Sequence, residues 1–249
     1  MENSIGKTKV SVGSWITVPH PTIVELMSSF DFDWLCIDLE HSPVSYLELQ
    51  NAIQIIQGKG KKAYVRVPLN SHYHTKFPLD AGPDGIIIPM VNSKKEAMEA
   101  VQHCFYPPKG KRSVGLARAH KFGFDFNSHY NKNIHELDLI VQVEHVNAVE
   151  EIDEILSVQE IAGVFIGPYD LSSSLGIPGQ LDHPRLLECI KIVEKKALLA
   201  SKKLGMHIIQ PDSSILESNI ENGYNFLAFS IDTLFLGHNV QNQLRKIKR

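Results

Sequence analysis

The chain has 249 residues, with 25 basic against 28 acidic side chains, a formal charge of −3, and 43% apolar and 21% charged residues. These are the proportions of a globular protein with a large core. The nearly balanced, dispersed charge excludes a nucleic-acid surface, which gathers a basic excess on one face, and the longest apolar stretches, such as 86–91, fall far short of the ~18 residues of a membrane span.

In chain order, the stretch from Met1 to Lys7 lacks the apolar core of a secretory signal. Short apolar runs bounded by turn signals then predict strands at 9–16, 34–38, 63–67 and 85–89, and again at 139–144, 163–167, 206–209 and 226–230. Their apolar character is continuous rather than alternating, as in parallel strands covered on both faces. Amphipathic segments at 46–58, 94–104, 147–156 and 184–204 predict helices between them. About eight strand–helix units in a chain of this length predict one domain over 1–249, a single (β/α)8 TIM barrel of the α/β class.

Residues 105–137 break that rhythm. They show no strand pattern, are punctuated by Pro107, Pro108, Gly110, Gly115 and Gly123, and carry Lys109, Lys111, Arg112, Arg118, His120 and Lys121. A loop of this length is expected to be functional or an interface element. The stretch His72-Tyr73-His74 reads as a solvated loop, and the basic tail from Arg245 to Arg249 as a solvated helix end. Cys36, Cys104 and Cys189 cannot all pair and have no CxxC spacing; free, buried thiols in a reducing cytoplasm are expected.

In such a barrel the active site lies at the C-terminal ends of the strands. Those ends bring Asp38-Leu39-Glu40-His41, Arg66, Glu144 and Gly167-Pro168-Tyr169-Asp170 to one mouth. No lysine stands there, which argues against Schiff-base chemistry. Glu144 and Asp170 would project from neighbouring strands, where two unpaired anions repel. Two readings fit: a shared Mg²⁺ or Mn²⁺, which leaves open positions for a 2-oxo acid and water, or separate ion pairs on a barrel rim. Arg66 offers a forked counter-charge. His41 is either a structural hydrogen-bonder or the group that moves a proton. Asp170 or Ser172 could cap a short helix, leaving the amides of Tyr169 and Asp170 free for a substrate carboxylate.

The ordered set Gly13-Ser14-Trp15, Asp38-Leu39-Glu40-His41, Arg66-Val67-Pro68, Leu79-Asp80-Ala81-Gly82, Tyr106-Pro107-Pro108, Gln142-Val143-Glu144, Gly167-Pro168-Tyr169-Asp170-Leu171-Ser172 and Ser230-Ile231-Asp232 resembles the HpcH/HpaI family of metal-dependent 2-oxo acid aldolases over nearly the whole chain. The resemblance implies that Glu144 and Asp170 hold a divalent metal (Mg²⁺ or Mn²⁺, or Co²⁺) and that Arg66 binds and polarises the 2-oxo acid. It further implies that His41 handles the proton through a metal-bound water and that Asp80 pairs with such a histidine, often across a subunit boundary. A homo-oligomer is implied as well, a hexamer as a trimer of dimers, with the segment 229–249 exchanged between subunits. Ser71, Ser113 and the stretch from His74 to Pro78 depart from the family pattern. The implied activity is reversible cleavage of a 4-hydroxy-2-oxo acid into pyruvate, or a close 2-oxo acid, and an aldehyde. Oxaloacetate decarboxylation, CoA-ester cleavage, glycoside hydrolysis and non-catalytic 2-oxo acid binding are the alternatives.

Overall fold

The structure is a computed structural model in which residues 9–247 are described. The Met1–Lys7 stretch and the last two residues of the basic tail lie outside the described residues. Eight strands, each followed by helical structure, run in the order β1 (Ser11–Ile16), α1 (Pro21–Ser28), β2 (Trp34–Asp38), α2 (Tyr46–Gly58), β3 (Lys62–Arg66), α3 (His72–Asp80), β4 (Gly85–Ile88) and α4 (Lys94–Cys104). After a 3₁₀ turn (Arg118–Gly123) come α5 (Phe126–Glu136), β5 (Asp138–Val143), α6 (Val146–Glu150), α7 (Ile152–Leu156), β6 (Ile161–Ile166), α8 (Pro168–Ser174), α9 (Pro184–Leu199), β7 (Lys203–Ile208), α10 (Ser213–Glu221), β8 (Phe226–Ile231) and α11 (Asp232–Leu244). The strands are parallel and close into a barrel in sequence order. No helix among the described residues is long and apolar enough to cross a membrane.

The barrel is the expected one, and its departures from the sequence reading have local causes. The helix predicted over 184–204 stops at Leu199, because Ser201 adopts a left-handed φ of 54° and Lys203 already belongs to β7. The helix predicted over 147–156 breaks at Glu151 into α6 and α7. His72-Tyr73-His74 is not a loop but the first turn of α3, where Ser71 Oγ accepts the His74 N–H at 3.3 Å. Within 105–137 lies a helix the apolar pattern did not reveal. The only buried residue of α5 is polar: Asn133, whose side-chain oxygen accepts the Tyr106 N–H while its amide donates to the Cys104 carbonyl. Cys36 and Cys104 are free and buried; Cys189 is free but half-buried.

Two apolar cores follow from strand alternation. Residues such as Leu35, Ile37, Val65, Ile86 and Val141 face outward against Leu49, Ile53, Ala97 and Val101 of the helices. Trp15, Trp34, Cys36, Tyr64, Phe165 and Phe226 turn inward. Trp34 stacks on Phe226 with ring centres 4.4 Å apart. This aromatic filling depends on glycine where the wall meets a ring. A Cβ on Gly13 would stand 2.0 Å from the Trp34 indole, and one on Gly85 2.2 Å from the Tyr64 ring. At the end where the strands begin, the Tyr64 hydroxyl donates to Asp138, which Lys203 also reaches at 2.6 Å and Lys62 at 3.5 Å. Rings and an ion cluster thus plug one end, leaving the C-terminal end of the strands as the open mouth.

Gly13→Ala is expected to lose about 1–3 kcal/mol in urea unfolding, the cost of overfilling a packed interior. Gly58→Ala, with nothing within 4 Å of its added carbon, should stay within about 0.5 kcal/mol of the parent. Equal effects at the two positions would contradict the ring-filled interior.

Candidate active site

Asp38 and Arg66 are register partners at the ends of β2 and β3. Asp38 Oδ1 accepts Arg66 Nε–H at 2.9 Å, and Oδ2 accepts from Nη2 at 2.8 Å, a two-pronged pair. The same Oδ1 accepts the backbone N–H of Glu40 at 3.0 Å and of His41 at 3.3 Å. One buried carboxylate therefore aims the arginine and shapes the turn that carries Glu40 and His41. The guanidinium carbon sits 4.4 Å over the Trp15 ring. Burial alone would weaken the Arg66 charge, but the hydrogen bonds and charge of Asp38, with Glu40, raise its pKa above the usual value. It is a fixed cation.

Glu144, just past β5, is 5% exposed. Its Oε1 accepts from Gln142 Nε2 at 2.8 Å and its Oε2 from the Met90 N–H at 3.0 Å. Met90 reaches that position with a φ of 52°, in the left-handed region that side chains disfavour. Burial first, then the charges of Glu40 and Asp170, push the Glu144 carboxyl up to about 7 against the counter-effects of the Met90 N–H and Arg66. Glu40 is likewise pushed to about 7, by burial and by Asp38 and Asp170, with Arg66 opposing. Glu144 therefore feels both Glu40 and Asp170, and Glu40 feels Asp170. The end of β6 closes on Glu144 so tightly that a Cβ on Gly167 would stand 2.7 Å from Glu144 Cγ.

Negative charge here exceeds what the chain neutralises, because Asp38 already engages Arg66. Glu40 Oε2 lies 3.2 Å from Arg66 Nη1, close enough for an ion pair but without hydrogen-bond geometry, and it is buried without a hydrogen-bond partner. Gln142 Oε1 is also buried and unpartnered. Acceptor oxygens left over beside crowded carboxylates suit a hard divalent cation. Among the described residues no three His, Cys, Asp or Glu side chains gather tightly enough to enclose an ion by themselves. An ion seated here would be held through one or two carboxylates, its other positions open to water or substrate.

The remaining expected residues are placed as follows. His41 is 67% exposed at the mouth, its Nε2 3.5 Å from Glu40 Oε2. Tyr169 and Asp170 lie exposed in the first turn of α8. Neither Asp170 nor Ser172 caps that helix: Gly167 holds the cap position without a side-chain bond, and Ser172 Oγ donates to the Tyr169 carbonyl at 2.6 Å. Asp80 is not brought to the mouth. It ends α3, just before Asp84 takes the Ala63 N–H at 3.0 Å near the start of β3, and its carboxylate accepts from Arg112 Nη2 at 3.0 Å. Asp80 and His41 of one chain therefore stand at opposite ends of the barrel. Three groups carry roles that motif reading did not assign: Asp38, Glu40 and Gln142. Inward parity was the available signal, since 34, 36 and 38 alternate with the outward Leu35 and Ile37.

Comparison with known proteins finds related chains. The profile of the family described as HpcH/HpaI aldolase/citrate lyase matches residues 11–239. The chain is 32% identical to a hydroxypyruvate/pyruvate aldolase of Roseobacter denitrificans, over 94% of this chain and 91% of that one. It is 34% identical to the 2-keto-3-deoxy-L-rhamnonate aldolase of Escherichia coli, over 97% and 90% respectively. The crystal structure of an HpcH/HpaI aldolase from Desulfitobacterium hafniense superposes with a TM-score of 0.90 at 31% identity, covering 99% of this chain and 95% of that one.

A carboxyl whose pKa is higher folded than unfolded stabilises the fold below its unfolded pKa, and that stability is lost as pH rises through the folded value. For Glu144 the window runs from about 4.5 to about 7. Without added metal, Glu144→Gln should therefore gain stability relative to the parent as pH rises from 5 to 8. The variant's lost hydrogen bond sets the offset, not the slope. Parallel stability curves in urea unfolding would contradict the crowding of carboxylates at this site.

Proposed function

We propose, from the premise that this chain belongs to the HpcH/HpaI aldolase/citrate lyase family, that it is a divalent-metal-dependent carbon–carbon lyase. It reversibly cleaves a 4-hydroxy-2-oxo acid into pyruvate, or a close 2-oxo acid, and an aldehyde. The observation that carries this reading is the crowding of carboxylates, buried Glu144 with half-buried Glu40 and the exposed Asp170, facing an arginine locked by Asp38. Enolate chemistry needs that combination: a seat for a cation and a fixed positive fork, with a proton carrier at the rim.

Glu144 and Asp170 would hold the ion, Mg²⁺ or Mn²⁺, with Co²⁺ as a further candidate. When bound, a divalent cation polarises the ketone oxygen and offsets the charge that develops there. Arg66, unable to lose its proton, pairs with the oxygens of the 2-oxo acid and stabilises the growing enolate from a position that needs no reorganisation. His41 takes the proton of the C4 hydroxyl as the C3–C4 bond breaks and its electron pair moves into the 2-oxo acid half. The aldehyde departs, and the proton returns to C3. The first-turn N–H groups of Tyr169 and Asp170, unbonded within a helix by their position, receive the substrate carboxylate.

The active unit is a homo-oligomer, a hexamer as a trimer of dimers, with α11 exchanged between copies of this single barrel domain. α11 buries only Asp232, which accepts the Thr17 and Val18 N–H groups at 2.9 Å; Leu236, Val240 and Leu244 stand exposed, and Leu236 lines a cavity of about 800 Å³ with Leu26, Phe30, Phe32 and Phe235. Asp80, at the far end from its own His41, meets a histidine only in another copy. Three unpaired cysteines suit a cytoplasmic location.

Chelator treatment should abolish pyruvate release from a 4-hydroxy-2-oxo acid, and Mg²⁺ or Mn²⁺ should restore it; undiminished turnover in chelator would overturn metal dependence. Glu144→Ala and Asp170→Ala are each expected to lower kcat/KM by about 10³-fold or more, and Arg66→Lys by about 10²–10³-fold, the loss typical of an oxyanion-stabilising donor. Near-parental turnover in Arg66→Lys would reduce Arg66 to a structural role.

A further inference from the structure

One polar ring in the mouth has no part in the cleavage described above. Leu204, Met206 and Ile208 of β7 face the outer core, so the alternate residues Gly205 and His207 turn inward. A Cβ on Gly205 would meet the Phe165 ring at 2.5 Å, and His207 is the register partner of Ala228 in the interior cluster. The imidazole lies 5.9 Å from the Trp15 ring, on which the Arg66 guanidinium rests, and it senses the charges of both Arg66 and Asp38. It is therefore beside the groups that grip the substrate.

The backbone fixes which face His207 presents. Its Nε2 is 3.3 Å from the Ser230 carbonyl oxygen, which can only accept, so Nε2 carries the hydrogen. That carbonyl is held in place: Ser230 has a φ of 53°, its hydroxyl donates to the Ile209 carbonyl at 2.9 Å, and Ser14 Oγ donates to the Ser230 carbonyl at 3.1 Å. Burial above all, helped by Arg66, holds the ring well below the usual histidine value, at about 4, so it is neutral near pH 7. Nδ1 is left as a lone-pair acceptor. It makes no hydrogen bond and is not among the enclosed unpartnered atoms, so it reaches open space.

A neutral acceptor in this position is selective by elimination. The carboxylate and ketone oxygens of a 2-oxo acid are themselves acceptors and gain nothing from it. Arg66 and a cation satisfy those oxygens, and the variable part beside the ketone is C3. Of the groups small enough to sit there, a hydroxyl donates. We propose that His207 is a specificity residue that accepts a hydrogen bond from a hydroxyl on C3, so that the enzyme favours 3-hydroxypyruvate over pyruvate as its 2-oxo acid. The cleaved compound is then a 3,4-dihydroxy-2-oxo acid: the C4 hydroxyl proton and the C3–C4 electron pair move as before, and 3-hydroxypyruvate leaves in place of pyruvate. This inference rests on the aldolase reading.

The test is a binding titration of the Mg²⁺-loaded protein with 3-hydroxypyruvate and with pyruvate, without aldehyde, followed by tryptophan fluorescence. The parent should bind 3-hydroxypyruvate about fivefold to tenfold more tightly, the worth of one net hydrogen bond. His207→Leu should bring that ratio close to one, and His207→Asn, which keeps a neutral acceptor, should retain part of it. A parent without preference, or a ratio unchanged in His207→Leu, overturns the inference. Should the leucine variant not fold, the parent ratio and its change in His207→Asn decide. If neither 2-oxo acid binds, the aldolase reading falls and takes this inference with it. If both bind with a ratio indifferent to residue 207, this inference alone falls.

Discussion

The buried pair of Asp38 and Arg66 is the interaction on which the mouth depends. Taking two charges out of water costs several kcal/mol per ion, and even a well-made pair often does no more than break even against apolar packing. The pair is therefore poorly explained as a stabilising device. Its effect is directional: two parallel hydrogen bonds fix the plane of the guanidinium, the Trp15 ring supports it from below, and the remaining capacity of Asp38 Oδ1 gathers the N–H groups of Glu40 and His41. A single carboxylate thus coordinates the positions of the cation, the proton carrier and a further acid. Because Asp38 and Arg66 are register partners, that geometry follows from strand pairing rather than from loop conformation.

With Asp38 committed to Arg66, the other acids face one another. Glu40 and Glu144 are both displaced to about 7 by burial and by neighbouring carboxylates. A site arranged this way is unfavourable when its acids are ionised and empty, the usual condition of a centre prepared for an ion. The aromatic plug and the Asp138 cluster fill the barrel below these carboxylates. Fold and function divide along the barrel axis: apolar and glycine-dependent packing where the strands begin, unsatisfied oxygen where they end.

Much of this was legible in the sequence. Continuous apolar runs located all eight strands, and the residues that end them located Arg66, Glu144 and Asp170 on one mouth. What escaped did so for physical reasons. α5 has no apolar stripe, since it is fastened through Asn133 and through Tyr130 stacked on Tyr106. α9 ran on into β7 because the composition around Lys202 and Lys203 suits either state and only the left-handed Ser201 marks the break. Asp38 and Gln142 fall within the motifs but without a role, and His207 falls outside them, because their importance lies in inward parity and in particular partners, and a linear motif records neither. Asp80 was visible as part of a motif, yet only the fold shows that it faces away from its own His41.

The ends of β4 and β8 show how strand termini, rather than side chains alone, define the chemistry. Met90 and Ser230 both take left-handed φ values that a residue with a Cβ normally avoids. At Met90 the turn aims an N–H inward, at the Glu144 carboxylate. At Ser230 it aims a carbonyl inward, at His207. In β8 the register shows the cause: Gly13 pairs with Ala228 but Trp15 with Ile231, so one extra residue is inserted and the backbone rotates there. The two rotations have opposite polarity and opposite consequences. The donor steadies an anion that burial would otherwise protonate, and the acceptor fixes a tautomer whose free nitrogen then faces the mouth. The selectivity of this mouth is therefore written partly in strand register, which substitution of the lining side chains alone would not reproduce.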